Sequence, residues 1–455
     1  MASSSRFIGQ ALPQTHAHFM KPGELVRGIS KHEFKARREA LFAQIKASDA
    51  LVFVSNEEKY FSHDANFKFS QNTTFSYLFG FLEPQSVAVM VDSKVFLFSR
   101  NHDPIKEMWD GPICGPRRAF ELFGCENTFG IDVLDKVLPA IIPQGGSAII
   151  VSSDPHFAKQ TDLSMLARVQ AALHINPDTN LPEARRILSL VDKQRLVKTP
   201  AEVACIRQAC EITGKGHTRA MQQRLRCGNE REMQSEVEYG FRNGGDGTFY
   251  QSIVAGGSRA CTLHYTANDV AFSPKGELCL IDAGARLLGS GYGGDVTRTF
   301  PVLRERFSAP ERDVYLAVLD CLDYNLSITK PGVSMQDLHL AALTRLQANL
   351  SVLFGQQCTL EQTRKYFPHG VGHFLGLDVH DTPTVGRMEL LQPGAVITVE
   401  PGLYFPPHDE QVPQHLRGIG IRLEDNALLV PGGCENLTRQ FAPIELVHVE
   451  DLFQV

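Results

Sequence analysis

The sequence predicts an α+β protein of two domains, a smaller α/β domain over 1–185 and a larger mixed domain over 186–455. Three observations predict it. Through the first 150 or so residues, short apolar runs of strand length alternate with helical periodicity. A polar, proline-bearing stretch from Asn176 to about Lys198 then breaks that pattern. Beyond it, strand and helix signals mix without a βαβ rhythm, which argues for α+β rather than a doubly wound sheet.

The elements follow in order. KHEFKARREALFAQIKA, from Lys31 to Ala47, repeats apolar residues at helical spacing, and ALVFV, SVAVMV, KVFLFS and SAIIVSS read as strands. A helical pattern returns from Asp162 to Leu173. Thr199-Pro200-Ala201-Glu202 combines an N-cap threonine, proline at the first helical position and glutamate at the third, so a long helix starts at Pro200 and runs towards Arg226. Another helix is expected over Glu230 to Arg242, with strands near Tyr250 to Ala255 and Glu277 to Leu288. Cap signatures at Ser308-Ala309-Pro310-Glu311 and Ser334-Met335-Gln336-Asp337 open two more helices, and late strands lie at Val396 to Val399 and Ile419 to Glu424.

Composition narrows the function classes. The 455 residues are 43% hydrophobic and 21% charged, which excludes a disordered, collagenous or coiled-coil chain. A net charge of −6 supplies no global positive field for a nucleic-acid backbone. No run reaches the roughly 18 apolar residues of a membrane span, so no membrane partner is expected. MASSSRFIGQ at the start holds no apolar signal core and is short for an amphipathic transit segment. Ten cysteines without a C-x-x-C pair read as free thiols in a reducing, intracellular compartment. Gly289-Ser290-Gly291-Tyr292-Gly293-Gly294 satisfies G-x-G-x-x-G, but the β-rich DVTRTFPV follows where a dinucleotide site needs a helix; these glycines are expected to make a wide hairpin turn.

Five segments of the second domain set carboxylates or histidines in apolar strand-like or turn-like surroundings: LCLIDAG, GGDVTRTF, HGVGHFLGLDVHD, ITVEPGLYF and GIGIRLED. Asp282, Asp295, Glu400 and Glu424 each adjoin apolar residues, where an unpaired buried carboxylate costs several kcal/mol. Asp282 and Asp295 stand thirteen apart, and a hairpin turning near Leu288 and Gly289 would bring them together on adjacent strands. Four assembled carboxylates carry about −4, which two divalent cations would cancel. One imidazole added to four carboxylates suits manganese, cobalt or zinc. The plainer reading is ion pairing to arginines such as Arg298 and Arg422, with the histidines satisfied in the core.

In this order the five segments resemble the metal-binding motifs of the aminopeptidase P and prolidase group, whose catalytic domain has a pita-bread fold. RFIGQ and HDTP, His380 to Pro383, resemble its mitochondrial-type aminopeptidase P branch. The resemblance implies a pita-bread metallopeptidase domain behind a smaller α/β domain. It implies Asp282, Asp295, His373, Glu400 and Glu424 as ligands of two divalent ions, manganese first and zinc or cobalt as alternatives. Asp282 would serve one metal, Asp295 and Glu424 would bridge, and His373 with Glu400 would complete the other. A bridging water would become the hydroxide nucleophile, and the metals would stabilise the oxyanion. His264 and His380 match histidines that contact substrate and the tetrahedral intermediate; His369 and Tyr404 match pocket residues. Arg422, two residues before Glu424 on the same strand face, would orient the carboxylates. The family pattern sets the two aspartates eleven apart, so about two extra residues are expected in the turn from Gly289 to Gly294.

The implied activity is Xaa-Pro aminopeptidase, a hydrolase of proteolysis acting on peptides with proline second, in a homodimer located in mitochondria or the cytoplasm. Two alternatives are an Xaa-Pro dipeptidase and a non-catalytic pita-bread protein that binds peptides or proteins. A methionine aminopeptidase would leave about 180 leading residues without a role.

Overall fold

The computed structural model of the protein describes residues 9–153, 159 and 161–452, so Arg6, Phe7 and Ile8 of RFIGQ lie outside the described residues. The chain divides into two compact units between Gln194 and Arg195.

In the first unit, α1 (Lys31–Phe42) starts where the Ser30 side chain accepts from the Glu33 N–H. Strands β1 (Ala50–Val54), β2 (Val87–Val91), β3 (Lys94–Ser99), β4 (Asn127–Gly130) and β5 (Ala148–Ile150) form one sheet in the order β4-β3-β2-β1-β5. The two outer pairings are parallel and the inner ones antiparallel. Every residue of β1 and β2 is buried, as uninterrupted apolar strands require. Met165, Leu166 and Val169 of α2 (Leu163–Leu173) pack on this sheet.

The proline-bearing stretch after Asn176 is helical, as α3 (Pro177–Leu196). Ala184, Ile187, Leu188 and Val191 are buried at i, i+3, i+4 and i+7, a stripe that outweighs the polar residues between them. Pro177 sits at the helix start, where its missing N–H costs little.

The second unit opens with α4 (Pro200–Gln223), held by a complete capping box between Thr199 and Glu202. It is followed by α5 (Glu230–Gly244), β6 (Ile253–Gly256), β7 (Glu277–Ala283) and β8 (Val296–Val302), with the three strands antiparallel in the order β8-β7-β6. Next come α6 (Ala309–Ile328) and α7 (Met335–Phe354), whose capping boxes are at Ser308/Glu311 and Ser334/Asp337. Strands β9 (Val396–Val399), β12 (Asp425–Val430) and β13 (Gly433–Asn436) form a second antiparallel sheet, and β10 (Gly402–Tyr404) pairs with β11 (Gly420–Arg422). β7 stops at Ala283, short of the expected Leu288, and only isolated bridges at Ala285 and Arg286 continue beyond it; a Cβ on Gly284 would stand 1.9 Å from the Gly294 carbonyl oxygen, so the two backbones close up there. The turn beyond it uses Gly289 and Gly291 at φ +87° and +86°, a conformation that favours glycine.

Arg298, on β8, ties this unit together. Its guanidinium, 1% exposed, donates to the Asp425 carboxylate at 2.7 Å and to the carbonyls of Thr297, Glu424, Ala442 and Pro443. Arg298→Met strands Asp425 as a buried charge and is expected to cost about 3–5 kcal/mol of stability, read from denaturant unfolding. A loss below about 1 kcal/mol would show that Asp425 finds other compensation.

Candidate metal centre

The register of β7 and β8 places Thr297 opposite Asp282. Thr297 also bridges Glu424, whose N–H donates to the Thr297 carbonyl at 3.1 Å. Its hydroxyl donates to Glu424 Oε2 at 2.7 Å. Asp295 lies one residue before β8 rather than on it, and Asn426 clamps its backbone: Asp295 N–H donates to Asn426 Oδ1 at 3.0 Å and Asn426 Nδ2 donates back to the Asp295 carbonyl at 2.5 Å. Asp282 and Asp295 therefore do not face each other across the ladder. They meet through the Tyr250 hydroxyl, which lies 2.7 Å from Asp282 Oδ1 and also contacts Asp295 Oδ1.

Glu400 follows directly on β9, and His373 lies in the loop that runs beside that strand. The His373 N–H donates to the Thr398 hydroxyl at 3.0 Å, and Glu400 N–H donates to the Val371 carbonyl at 2.7 Å. With Nδ1 3.1 Å from the Phe374 carbonyl, His373 directs Nε2 to within 3.4 Å of Asp295 and 3.6 Å of Glu400. Ligand atoms of Asp295, His373 and Glu424 all lie within 4.8 Å of one another.

Electrostatics show whether this set suits a metal. Burial, reinforced by Asp295, Glu400 and Asp282, pushes Glu424 well above the usual carboxylate range. Burial likewise pushes Glu400 up to about 7, although His373 and Arg422 pull it down. His373 is raised to about 9: burial opposes its charge, but Asp295 and Glu400 favour it more. Burial acts to raise Asp282 too, yet Arg422 and the Tyr250 hydroxyl outweigh it and hold the carboxyl down. Tyr250 has one hydrogen for two carboxylate oxygens, a crowding of acceptors that a shared cation would relieve. An excess of negative charge on oxygen and imidazole ligands fits divalent cations.

A second chain of contacts runs from Asp282. Arg422 Nη2 donates to Asp282 Oδ2 at 2.5 Å, and its Nη1 donates to the Tyr404 hydroxyl at 2.8 Å. Tyr404 stands 2.8 Å from His369 Nε2, and His369 Nδ1 stands 2.8 Å from the Gly370 carbonyl. A neutral His369 that donates from Nδ1 and accepts at Nε2 satisfies every one of these bonds, consistent with burial and Arg422 lowering its pKa to about 3. Tyr404 is buried behind His369.

Asp282, Asp295, His369, His373, Glu400, Arg422 and Glu424 line one cavity of about 400 Å³. His264 and His380 line it on the exposed side. His380 packs edge-on against His373 with ring centroids 4.5 Å apart. Arg417 is turned away, donating to the Val412 and Glu410 carbonyls. The sequence reading missed Tyr250, Thr297 and Asn426. FYQSIVA, DVTRTF and LEDNALL look like ordinary strand or loop sequence, and only the acids that pair with these residues in space single them out.

The pattern of Metallopeptidase family M24 matches residues 204–431, and that of the Aminopeptidase P N-terminal domain matches residues 34–150. Xaa-Pro aminopeptidase 3 of Rattus norvegicus is 33% identical over 446 residues, covering 93% of this chain and 86% of the relative. Intermediate cleaving peptidase 55 of Saccharomyces cerevisiae is 32% identical over 467 residues, covering 98% and 88%. The structure of aminopeptidase P from E. coli with the inhibitor Pro-Leu superposes with a TM-score of 0.83 at 32% identity, covering 94% of this chain and 98% of that one. The second unit has the pita-bread fold, and a smaller α/β domain precedes it. The chain thus belongs to metallopeptidase family M24, within its aminopeptidase P group.

Proposed function

We propose that the protein is a two-metal Xaa-Pro aminopeptidase, releasing the N-terminal residue of peptides whose second residue is proline. The observation that carries this reading is the convergence of Asp282, Asp295, His373, Glu400 and Glu424 from separate segments on one cavity. Asp282, Asp295, His373, Glu400 and Glu424 would hold two divalent ions between them; manganese is the proposed metal, with zinc or cobalt as alternatives. Bound there, the ions supply an activated water and Lewis acidity toward the scissile carbonyl.

The rest is the work of the chain's own groups. Tyr250 fixes the two aspartates relative to each other, and Arg422 holds Asp282 while Tyr404 sets the His369 ring. His264 and His380, on the exposed side, meet the peptide and donate hydrogen bonds as charge develops on the carbonyl oxygen. Ile253, Leu263 and Val379 give the cavity an apolar wall for the proline ring. We further propose domain limits of 1–185 and 186–455, a homodimer, and an intracellular site in mitochondria or the cytoplasm; ten unpaired cysteines support the intracellular site, and the mitochondrial option rests on the family resemblance.

Substrate length tests the reading. A dipeptidase must grip the carboxylate that follows proline and close the site against longer chains, whereas an aminopeptidase must leave that side open; Arg417, which donates to backbone carbonyls, does not decide between them. Tripeptides Xaa-Pro-Xaa are expected to show higher kcat/KM than matching Xaa-Pro dipeptides in manganese-supplemented assays, and replacing the proline by alanine should remove most activity. Faster cleavage of the dipeptide would make the protein a prolidase.

A further inference from the structure

His380 is placed at the cavity by its backbone. Among the described residues no hydrogen bond holds its imidazole; the ring only packs against His373. The next residue, Asp381, is 4% exposed and is gripped by two equally buried cations. Arg195 Nη2, from the last turn of α3, donates to Asp381 Oδ1 at 2.5 Å and to Asp378 Oδ2 at 2.7 Å. Lys198 Nζ donates to Asp381 Oδ2 at 3.0 Å, and the Lys198 N–H is anchored on the Gly394 carbonyl at 2.9 Å.

Two carboxylates that flank His380 in the chain, Asp378 and Asp381, thus meet two cations. The loop is drawn tight over this cluster. Asp381 N–H donates to the Phe374 carbonyl, next to His373, at 2.9 Å. A Cβ on Gly376 would stand 2.6 Å from the Asp381 carboxylate, so the backbone closes over the charge where a side chain would collide. Gly293 N–H, from the glycine-rich turn, donates to the Gly376 carbonyl at 3.1 Å. Thr382, immediately after the cluster, is held buried at φ +51°, an unfavourable conformation for a β-branched residue that the surroundings must impose.

We propose that Arg195, Lys198 and Asp381 form a positioning cluster that sets the aim of His380 into the cavity, and so act on turnover through that histidine. The inference rests on the reading of His380 as a group on the substrate side. Isolated breakage of a buried ion pair also weakens a fold, so the test must separate aim from stability.

A double-mutant cycle does so. Lys198→Met is assayed with a Xaa-Pro-Xaa peptide in the wild-type and His380→Ala backgrounds, with bound divalent ion and Tm measured on each protein. Lys198→Met is expected to lower kcat about tenfold or more in the wild type with KM nearly unchanged, and less than about twofold once His380 is gone. Lys198→Arg, which keeps the charge, should recover most of the rate. If Lys198→Met does not fold, Asp381→Asn takes its place in the same cycle. Equal losses in both backgrounds, or no loss in the wild type, overturn the positioning role and leave the reading of His380 standing. Wild-type turnover in His380→Ala alone overturns that reading and this inference with it.

Discussion

Asp295→Asn is expected to abolish turnover, lowering kcat by at least about a hundredfold, roughly 2.7 kcal/mol on the barrier. Asp295 occupies the middle of the cluster: one carboxylate oxygen contacts the Tyr250 hydroxyl shared with Asp282, and the other lies 3.4 Å from His373 Nε2. Asparagine keeps the shape and removes the charge, which weakens every cation held by that residue. The fold should survive, because Asn426 clamps the Asp295 backbone and not its carboxylate. The experiment therefore reads kcat, bound divalent ion and Tm together. A variant that keeps its metal and more than about a tenth of wild-type kcat would show that Asp295 does not hold both ions.

His380→Ala and His373→Ala are expected to separate into two phenotypes. His373 points Nε2 at Asp295 and Glu400 from a ring anchored at the Phe374 carbonyl, so its loss should empty metal and rate together. His380 stands on the exposed side of the same cavity, packed on His373 without a hydrogen bond to any of the acids. His380→Ala should keep nearly normal metal content while losing about a hundredfold in kcat, the scale of a lost donor to a developing oxyanion. Metal loss equal to that of His373→Ala would erase the division between a ligand and a group that meets substrate.

Much of this arrangement was legible before any coordinates. Thr199, Pro200 and Glu202 specify a helix start through local hydrogen bonds, and the capping box forms as expected. Ser308/Glu311 and Ser334/Asp337 do the same. ALVFV and VAVMV announce buried strands by composition alone, and they lie fully buried in the first sheet. The stretch after Asn176 was harder to read. Its prolines and charges mask the stripe of Ala184, Ile187, Leu188 and Val191, and only the partner surface makes that stripe count.

What the sequence determined by itself was chemistry and local conformation: which acids sit among apolar residues, where helices begin, and where glycine alone allows the chain to turn at Gly289 and Gly291. Those properties depend on residues within a few positions of one another. Tertiary structure decided which groups satisfy the acids. Asp282 meets Asp295 through Tyr250 instead of across a ladder, Glu424 receives the Thr297 hydroxyl, and Asn426 locks the Asp295 backbone, over separations of up to 131 residues. A buried carboxylate must find its donors wherever the fold brings them, because desolvation is costly and a hydrogen bond requires contact within about 3 Å, whatever the distance along the chain.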